Sequence, residues 1–397
     1  MFKGFKRIFF ILGAMAAVII ILSRCMSTAD KIPLDVRGEN YAGAATCVKC
    51  HADISKSFLH NAHRNTSAPA GQENLLKFLQ TDSNTFAFNQ HMKVKVEKRD
   101  SGAYQVAYID GKEIRAQKFD IVFGSGEKAF TYAYWNGNKM FQLPLSRFSE
   151  IKTWANSPGF PINVMYFDRP ITSRCLECHT TYLKTQSKQV SALSIDEEME
   201  KGSLIYGIDC ERCHGPAKQH VVFHTDNPDE KAPKFITIYK TLTRRQKMDA
   251  CAVCHSGNTL TTIQSVFNFQ PGDDLKNFYA QDFVSFSGAN PDVHGNQSAM
   301  LEGSVCYQKS EMTCQSCHNS HENIKGNLTI YSQRCISCHQ TQKHSQETLA
   351  KGSLKTNCID CHMPMMASKL ISFQTAGNKH VNPYLLRSHR IAVYPKP

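Results

Sequence analysis

The sequence lacks the signatures of the common nucleotide-dependent and hydrolytic enzymes. It contains no phosphate-binding loop and no nucleophile elbow. The nearest approach to a dinucleotide fingerprint, Gly124-x-Gly126-x-x-Ala129, is followed by a strand-like run at 130–135 instead of the required helix. A sequence repeat of fixed period is lacking as well. We therefore expect no nucleotide partner.

Cysteine is also scarce outside one motif, because 14 of the 16 cysteines fall in seven Cys-x-x-Cys-His motifs. The two thiols of such a motif reach the two vinyl groups of one haem, and the histidine then lies under the iron as proximal ligand. A zinc-ribbon array pairs its Cys-x-x-Cys units in twos, and a disulfide framework gives no reason for a histidine after every second cysteine. The sequence therefore predicts seven covalently bound haem c groups.

We number the motifs one to seven in chain order. Their predicted haem-attaching cysteines and proximal iron ligands are Cys47, Cys50 and His51; Cys175, Cys178 and His179; Cys210, Cys213 and His214; Cys251, Cys254 and His255; Cys314, Cys317 and His318; Cys335, Cys338 and His339; and Cys358, Cys361 and His362.

The formal net charge is +12, which by itself favours a nucleic-acid partner. Seven haems bring two propionates each and add about −14, which offsets the excess of lysine and arginine. We therefore expect no nucleic-acid partner.

The N-terminus has the pattern of an export signal. Lys3, Lys6 and Arg7 precede an apolar run at 8–22. The run is long for a cleaved signal and short for a full membrane span, so both a retained anchor and a cleaved signal stay open, and we favour the anchor. Cys25 adds the alternative of a lipid anchor, although Arg24 fits a lipobox badly. Each alternative exports the chain, and we predict the bacterial periplasm, with anchorage to the inner membrane or, after cleavage, a soluble protein.

Four regions are predicted along the chain: a signal or anchor at 1–30, a first haem segment at 31–84, an antiparallel β module at 85–170 and a six-haem domain at 171–397. Ser101-Gly102, Asp110-Gly111 and Asn136-Gly137 separate alternating runs and predict hairpins, in a module of four to six strands. Helices are predicted at 52–65, 195–208, 243–255 and 346–351, with Thr243 as an N-cap. The predicted fold class is a mainly α and irregular multihaem cytochrome c array with this β module inserted, α+β overall.

Ten histidines remain for the distal side of the irons. His321 follows His318 by three residues and cannot easily reach the opposite face of the same haem, so we expect it to ligate a neighbouring haem. The same reasoning applies to His220 after motif three and to His344 after motif six. The predicted distal ligands are His63, His220, His294, His321, His344 and His389.

Several further residues stay undecided. The histidines that we leave unassigned are His60, His91, His224 and His380. A thioether ligand from Met363, Met365 or Met366 is an alternative to histidine, although methionine usually fills a core. Cys306 is either a buried free thiol or a redox-active group near a haem.

At these residues the chain resembles the multihaem cytochromes c of the cytochrome c-554/c-prime type. The similar segments are Tyr41-x-Gly43-x-x-x-Cys47-x-x-Cys50-His51 with His63; Cys210-Glu-Arg-Cys213-His214-Gly215-Pro216 with His220; Val293-His294-Gly295; Met312-Thr313-Cys314-Gln-Ser-Cys317-His318 with His321; Cys358-Ile-Asp-Cys361-His362-Met363-Pro364; and Ser388-His389-Arg390-Ile391. The resemblance implies that His63 ligates a haem iron. The family includes electron carriers and, more remotely, enzymes that convert hydroxylamine and nitrite. A Cys-x-x-Cys-Lys motif is lacking, so the lysine-ligated haem of the pentahaem nitrite reductases has no counterpart.

Two functions follow from this pattern. The first is electron transfer between a membrane-side donor, either a redox partner protein or a quinol-linked one, and a periplasmic or outer acceptor. The alternative is an oxidoreductase that acts on a small nitrogen or sulfur compound, such as nitrite, hydroxylamine or tetrathionate, at one open haem. The number of irons without a sixth protein ligand distinguishes the two.

Overall fold

The structure is a computed structural model that describes residues 15, 34–71, 84–257, 260–280, 291–340, 344–346, 353–377 and 380–395. The predicted anchor at 1–30 lies outside the described residues except for Met15, and so does the predicted helix at 346–351 except for its first residue. Within the described ranges, no helix combines the length and the apolar character that crossing a membrane requires.

The prediction of a mainly α array is wrong. Of the described residues, 26% lie in helices and 28% in strands. The difference arises because strands also pair outside the β module, in three two-stranded sheets between 180 and 387. Helices are short and most of them surround a motif, so the protein is a mixed α and β structure.

Ten α-helices lie in the described part of the chain. They are α1 Ala44–Cys47, α2 Ala52–Phe58, α3 Ser173–His179, α4 Cys210–His214, α5 Lys218–Asp226, α6 Arg244–His255, α7 Gln297–Glu302, α8 Val305–Gln308, α9 Leu328–Ile336 and α10 Ile359–His362.

The strands pair antiparallel throughout the sheets described here. They are β1 Ser67–Pro69, β2 Thr85–Ala87, β3 Met92–Arg99, β4 Gly102–Ile109, β5 Lys112–Lys118, β6 Ile121–Phe123, β7 Ala129–Asn136, β8 Lys139–Gln142, β9 Leu145–Phe148, β10 Thr153–Asn156, β11 Arg169–Ile171, β12 Thr180–Tyr182, β13 Thr185–Ser191, β14 Ser194–Met199, β15 Ile205–Tyr206, β16 Met365–Phe373 and β17 Asn382–Arg387.

Two sheets build the β module. Strands β2 to β5 form a four-stranded meander. The second sheet has the order β1-β6-β7-β8-β11, and in addition β9 pairs with β7 and β10 pairs with β9. The hairpin turns at Asp110-Gly111 and Asn136-Gly137 lie where the sequence predicts them. Between 85 and 171 the structure has ten strands, more than the predicted four to six.

The core of the module lies between these two sheets. Three aromatic rings pack there in series. The ring centre of Tyr132 lies 4.4 Å from that of Phe119 and 5.4 Å from that of Trp154. The opposite face of the second sheet packs through Ile121 and Met140 on Leu176 of α3, which lies inside motif two. The module is therefore the wall against which the motif-two segment packs.

The first segment is tied to the same sheet. Strand β1 pairs with β6, so residues just after His63 belong to the module sheet. The hydroxyl groups of Thr66 and Ser67 both donate to the backbone carbonyl of His179, each at 2.8 Å. These bonds connect the motif-one segment to motif two.

Two local predictions had opposite outcomes. Helix α6 ends at His255 as predicted, and Thr243 caps it through a capping box with Gln246. The predicted helix at 195–208 is wrong, because Ser194–Met199 is strand β14 and pairs with β13. The pairing of β14 with β13 outweighs the helix propensity of its glutamates.

The C-terminal stretch forms a hairpin of β16 and β17 that the sequence did not predict. Phe373 and Tyr384 of this hairpin pack on Phe148 of the β module. The hairpin therefore connects motif seven, at its open end, to the module at its other end.

Candidate functional site

Each motif is wound into a short helical turn. The backbone N–H of His51 donates to the carbonyl of Cys47 at 2.9 Å, and the histidines of motifs five, six and seven make the same bond at 2.9 to 3.1 Å. Residues three and four apart share one face of a helix. Both thiols and the imidazole of a motif therefore project to the same side, as attachment of one haem requires. Among the 15 cysteines of the described residues there is no disulfide bond.

Five motif histidines face a histidine from another part of the chain. The pairs, with the distances between ring centres and the angles between ring planes, are His51 with His220 at 6.4 Å and 16°, His214 with His321 at 5.9 Å and 9°, His255 with His63 at 6.0 Å and 83°, His318 with His389 at 6.2 Å and 23°, and His362 with His344 at 6.4 Å and 76°.

These separations fit an iron held between the two rings. With metal–imidazole bonds of about 2 Å, two axial imidazoles on one iron have ring centres about 6 Å apart. Direct ring stacking would bring the centres closer. The partner in each pair also comes from a different motif's segment. The residues present therefore fit bis-histidine haem at these five motifs.

The far ring nitrogen of many of these histidines is held by an acceptor. Nδ1 of His220, His362 and His389 lies 2.8, 2.9 and 3.3 Å from a backbone carbonyl. Nδ1 of His63 and His255 lies 3.1 Å from a side-chain amide oxygen, of Asn61 and Gln297 respectively. An acceptor at Nδ1 places the proton there and leaves Nε2 bare to bind a metal.

The remaining proximal histidine of the N-terminal half, His179, has His294 as its neighbour. Burial first, and His294 second, lower the pKa of His179 to about 4. Burial likewise lowers the pKa of His63 and of His389 to about 4. Neutral imidazoles in such a position are suited to ligate iron.

The histidine of motif six stands apart. His339 is exposed, and within the described ranges no aromatic contact joins it to another histidine ring. Two undecided histidines have other neighbours: His91 lies 2.5 Å from the carboxylate of Asp110, and His224 packs on His220. His60 and His380 are exposed.

The motifs contact one another in an order different from that of the chain. The thiol of Cys47 contacts that of Cys210, Cys178 contacts Cys254, and Cys251 contacts Cys314. Motif four thus lies beside motifs two and five. Cys213 of motif three is also near Cys254, which places a third neighbour at motif four.

The later motifs continue the series. Cys335 of motif six lies near Cys317 of motif five and near Cys358 of motif seven. Cys306 lies near both Cys317 and Cys335, so it is located between motifs five and six.

A buried ionic cluster joins motifs one and three, and sequence reasoning missed it. Arg37 lies 2.7 Å from Glu211, 2.8 Å from Asp35 and 3.1 Å from Asp209, and all four side chains are at most 9% exposed. Burial raises the pKa of Asp209 although Arg37 opposes the shift. The other oxygen contacts of Glu211 are the backbone N–H groups of Ala42, Gly43 and Ala217 at 2.9 to 3.0 Å.

Glu177, inside motif two, has a similar role. Its carboxylate accepts from the hydroxyl of Ser265 at 2.7 Å and from the backbone N–H of Val266 at 3.1 Å. The variable residues between the two cysteines of a motif therefore anchor distant loops. The only sequence signal for this was a glutamate at a position that a haem motif leaves unspecified.

Close backbone packing positions His63. Gly207 has a φ of +66°, and a Cβ on it would lie 2.1 Å from the carbonyl oxygen of Arg64. The next residue, Ile208, donates its N–H to the carbonyl of His63 at 2.9 Å. Only glycine permits this approach between the His63 segment and the chain that enters motif three.

Comparison with known proteins agrees with this geometry. Residues 162–215, which include motifs two and three, match the family described as cytochrome c554 and c-prime. The chain is 24% identical over 229 residues to the dissimilatory sulfite reductase MccA of Wolinella succinogenes, covering 50% of this chain and 28% of that protein. It is 27% identical over 199 residues to the multiheme cytochrome MtrA of Shewanella baltica, covering 48% of this chain and 45% of that protein. The chain thus spans less than half the length of these curated relatives.

One solved structure has a similar fold. It is that of the outer cell wall cytochrome OcwA, with a TM-score of 0.50 and 15% sequence identity, over 89% of this chain and 80% of that chain. At this identity the likeness concerns the fold alone.

Proposed function

We propose that the seven motifs of this chain, a multihaem c-type cytochrome that binds haem c covalently, hold seven haems along which it transfers electrons. Bound haem iron supplies the chemistry by alternating between the ferric and ferrous states. The finer part of the proposal is that the donor lies on the membrane side and the acceptor in the periplasm or beyond.

The observation that carries the proposal is the set of five facing histidine pairs, with ring centres 5.9 to 6.4 Å apart. An iron with two protein ligands has no position left for a substrate, which suits it to electron transfer. The six predicted distal ligands, His63, His220, His294, His321, His344 and His389, all lie next to a motif histidine and are proposed as the sixth ligands.

Contacts between motifs support a continuous route. Motif one contacts motif three, motif three approaches motif four, and motif four contacts motifs two and five. Motifs five, six and seven follow in order. Each motif therefore has a neighbour, and electrons entering at one end need no long gap to reach the other.

Location and partners are proposed from the sequence. Haem c is attached outside the cytoplasm, so the basic and apolar segment at 1–30 is proposed to export the chain to the periplasm and to hold it at the inner membrane. A quinol-linked membrane protein or a soluble redox protein is then proposed as donor. The likeness to a protein named multiheme cytochrome MtrA supports a role in electron transfer.

The experiment that tests the proposal combines haem content with EPR of the oxidised holoprotein. Seven haems per chain are expected, at least six of them low-spin, because six distal histidines are proposed for the seven irons. Fewer than seven haems would refute the count, and a high-spin ferric signal equivalent to several haems would refute closed ligation. Anchorage is tested separately by fractionating cells that express the full chain and a chain in which residues 1–30 are replaced by a cleaved signal peptide; only the full chain is expected in the membrane fraction.

A second function, that of an oxidoreductase on a small nitrogen or sulfur compound, is favoured by motif six. In the described part of the chain no histidine ring faces His339. The likeness to a dissimilatory sulfite reductase adds a sulfur compound to the candidates. A high-spin signal equivalent to one haem, together with turnover of sulfite, nitrite, hydroxylamine or tetrathionate, is the expected result for this function.

A further inference from the structure

The two histidines at motif four differ from the other pairs in what holds their Nδ1 atoms. Asn61 and Gln297 each place a side-chain amide oxygen 3.1 Å from Nδ1, of His63 and His255 respectively. At His220, His362 and His389 the acceptor is a backbone carbonyl. At motif four, therefore, the Nδ1 contacts of both histidines are made by side chains, which substitution can remove.

The orientation of the Asn61 amide is fixed by its other contacts. Its Nδ2 donates to the backbone carbonyl of Glu322 at 2.8 Å, and the residue is only 6% exposed. Its Oδ1 accepts from the backbone N–H of His63 at 2.8 Å. Because Oδ1 can only accept, Nδ1 of His63 carries the proton and Nε2 is bare.

The backbone next to Gln297 is joined to the motif-four segment. It begins helix α7, and the next residue, Ser298, donates its hydroxyl to the backbone carbonyl of His255 at 2.8 Å. The loop after motif four is joined to the same place, since the N–H of Gly257 donates to the carbonyl of Gly295 at 2.7 Å. The backbone that carries Gln297 and the backbone that carries His255 are therefore joined at this place.

Motif four is also the place where the array branches. Its cysteines contact Cys178 of motif two and Cys314 of motif five, and Cys213 of motif three lies beside Cys254. The two imidazole planes cross at 83°, whereas three other pairs cross at 23° or less. A haem here has three haem neighbours, so its potential decides how electrons divide among them.

We propose that Asn61 and Gln297 are positioning residues that fix the tautomer and ring plane of the axial histidines at motif four, and thereby set the reduction potential of the haem at the branch point. This inference rests on the proposed electron-transfer function, because it assumes haem between His63 and His255. The carbonyl oxygen of an amide draws the Nδ1 proton and makes the imidazole a more basic ligand. A more basic ligand favours ferric iron and lowers the potential.

Two substitutions at Gln297 separate this role from a merely structural one. Gln297→Glu replaces the amide by a stronger acceptor and is expected to lower the potential of one haem. Gln297→Leu removes the acceptor and is expected to raise it. The readouts are a potentiometric titration followed by EPR and optical spectra of the holoprotein. Opposite shifts of one haem, with the other six unchanged, support the proposal, and equal or absent shifts overturn it.

Asn61 supplies the second arm. Asn61→Leu is expected to raise the potential of the same haem that responds to Gln297. If Gln297→Leu fails to mature with full haem content, the comparison of Asn61→Leu and Gln297→Glu still decides the question. A response of two different haems would overturn the assignment.

The matched control is Gln246→Leu. Gln246 lies on α6, the helix that carries His255, and its amide bonds to Thr243 and to the carbonyl of Gly272 at 2.8 Å. This variant loses a side-chain amide from the same helix and is expected to be less stable with all potentials unchanged. Potentials that shift as expected while reduced protein passes no electrons to an added acceptor would reject the proposed function and leave the positioning role intact. Electron transfer to the acceptor without any shift in potential would reject the positioning role and leave the proposed function intact.

Discussion

The carboxylate of Glu211 lies 2.7 Å from the guanidinium of Arg37, which precedes motif one, while Glu211 itself lies between the two cysteines of motif three. Their side chains are 1% and 5% exposed. The same carboxylate accepts from the backbone N–H of Ala42, which precedes motif one, and from that of Ala217, which follows motif three. Motifs one and three are thus joined by a charge that has little contact with water.

Glu211→Ala is therefore expected to destabilise the protein by about 3 to 5 kcal/mol, because it removes one of the three carboxylates around the buried Arg37 and leaves the N–H groups of Ala42, Gly43 and Ala217 without their acceptor. Glu113→Ala is the control, since it breaks the Arg99 ion pair at the surface, where the two side chains are 34% and 43% exposed. The control is expected to cost at most about 1 kcal/mol. Denaturant unfolding followed by circular dichroism measures both, and equal losses would contradict the prediction.

Gly207→Ala tests the close approach at His63. The new Cβ would lie 2.1 Å from the carbonyl oxygen of Arg64, at a φ of +66°. The change is expected to displace His63 and to convert one haem from low-spin to high-spin. Gly111→Ala is the control, with a φ of +80° but no atom within 4 Å of the added Cβ. It is expected to cost about 1 kcal/mol in stability and to leave the EPR spectrum unchanged.

His321→Ala tests cross-ligation. His321 follows motif five but faces His214 of motif three, with ring centres 5.9 Å apart. Its removal is expected to open one iron, so that the reduced protein binds carbon monoxide at one more haem than before. His91→Ala, which changes a histidine paired with Asp110 on the β module, is expected to add none. An unchanged carbon monoxide stoichiometry in His321→Ala would show that this ring is not a ligand.

The ring planes predict two classes of low-spin EPR signal. Near-parallel planes, at 9°, 16° and 23°, split the iron d orbitals, whereas planes at 76° and 83° leave two of them nearly equal in energy and widen the anisotropy of the signal. The oxidised protein is expected to give at least two strongly anisotropic signals beside at least three ordinary ones. Variants of His344 and His63 should each remove one anisotropic signal. A spectrum of a single class would contradict this.

Asp168 gives a pH dependence away from the haem sites. A hydrogen bond from Arg115 is the first cause that lowers its pKa below the ordinary value. Because the folded-state pKa is the lower one, the pair stabilises the protein above the unfolded pKa of about 3.9, and this contribution is lost as the pH falls through the folded pKa. The side chains are 36% and 57% exposed, so we expect at most about 1 kcal/mol. Asp168→Asn should differ from the native protein at pH 7 and should approach it below about pH 4, in denaturant unfolding at both values.

Sequence reasoning succeeded where the signal is local. The hairpin turns at Asp110-Gly111 and Asn136-Gly137, the strand after Gly124 and Gly126, and the Thr243 cap each depend on a few adjacent residues. Haem attachment is equally local, since the two thiols and the histidine occupy one helical turn. The family assignment followed from those motifs.

It failed where a choice depended on distant contacts. Strand β14 contains glutamates that favour a helix, but β13 is available to pair with it. Hairpin β16–β17 packs on Phe148, and no local sequence pattern predicts this contact. Likewise, the spacing of His321 from His318 indicated a neighbouring haem without saying which one, and only the fold brings it to His214.

The pairing of His51 with His220 has a consequence for maturation. A chain threaded across a membrane from its N-terminus presents motif one first, but the second ring for that site follows motif three and emerges much later. Glu211, whose ion pair with Arg37 joins the segments of motifs one and three, also lies in motif three. The first site to receive its cofactor thus lacks its second ring until the segment after motif three has crossed the membrane. Truncations that end between motifs one and three should then leave a haem that is attached at motif one but exposed to oxidants. The cell would have to protect this haem until His220 has emerged.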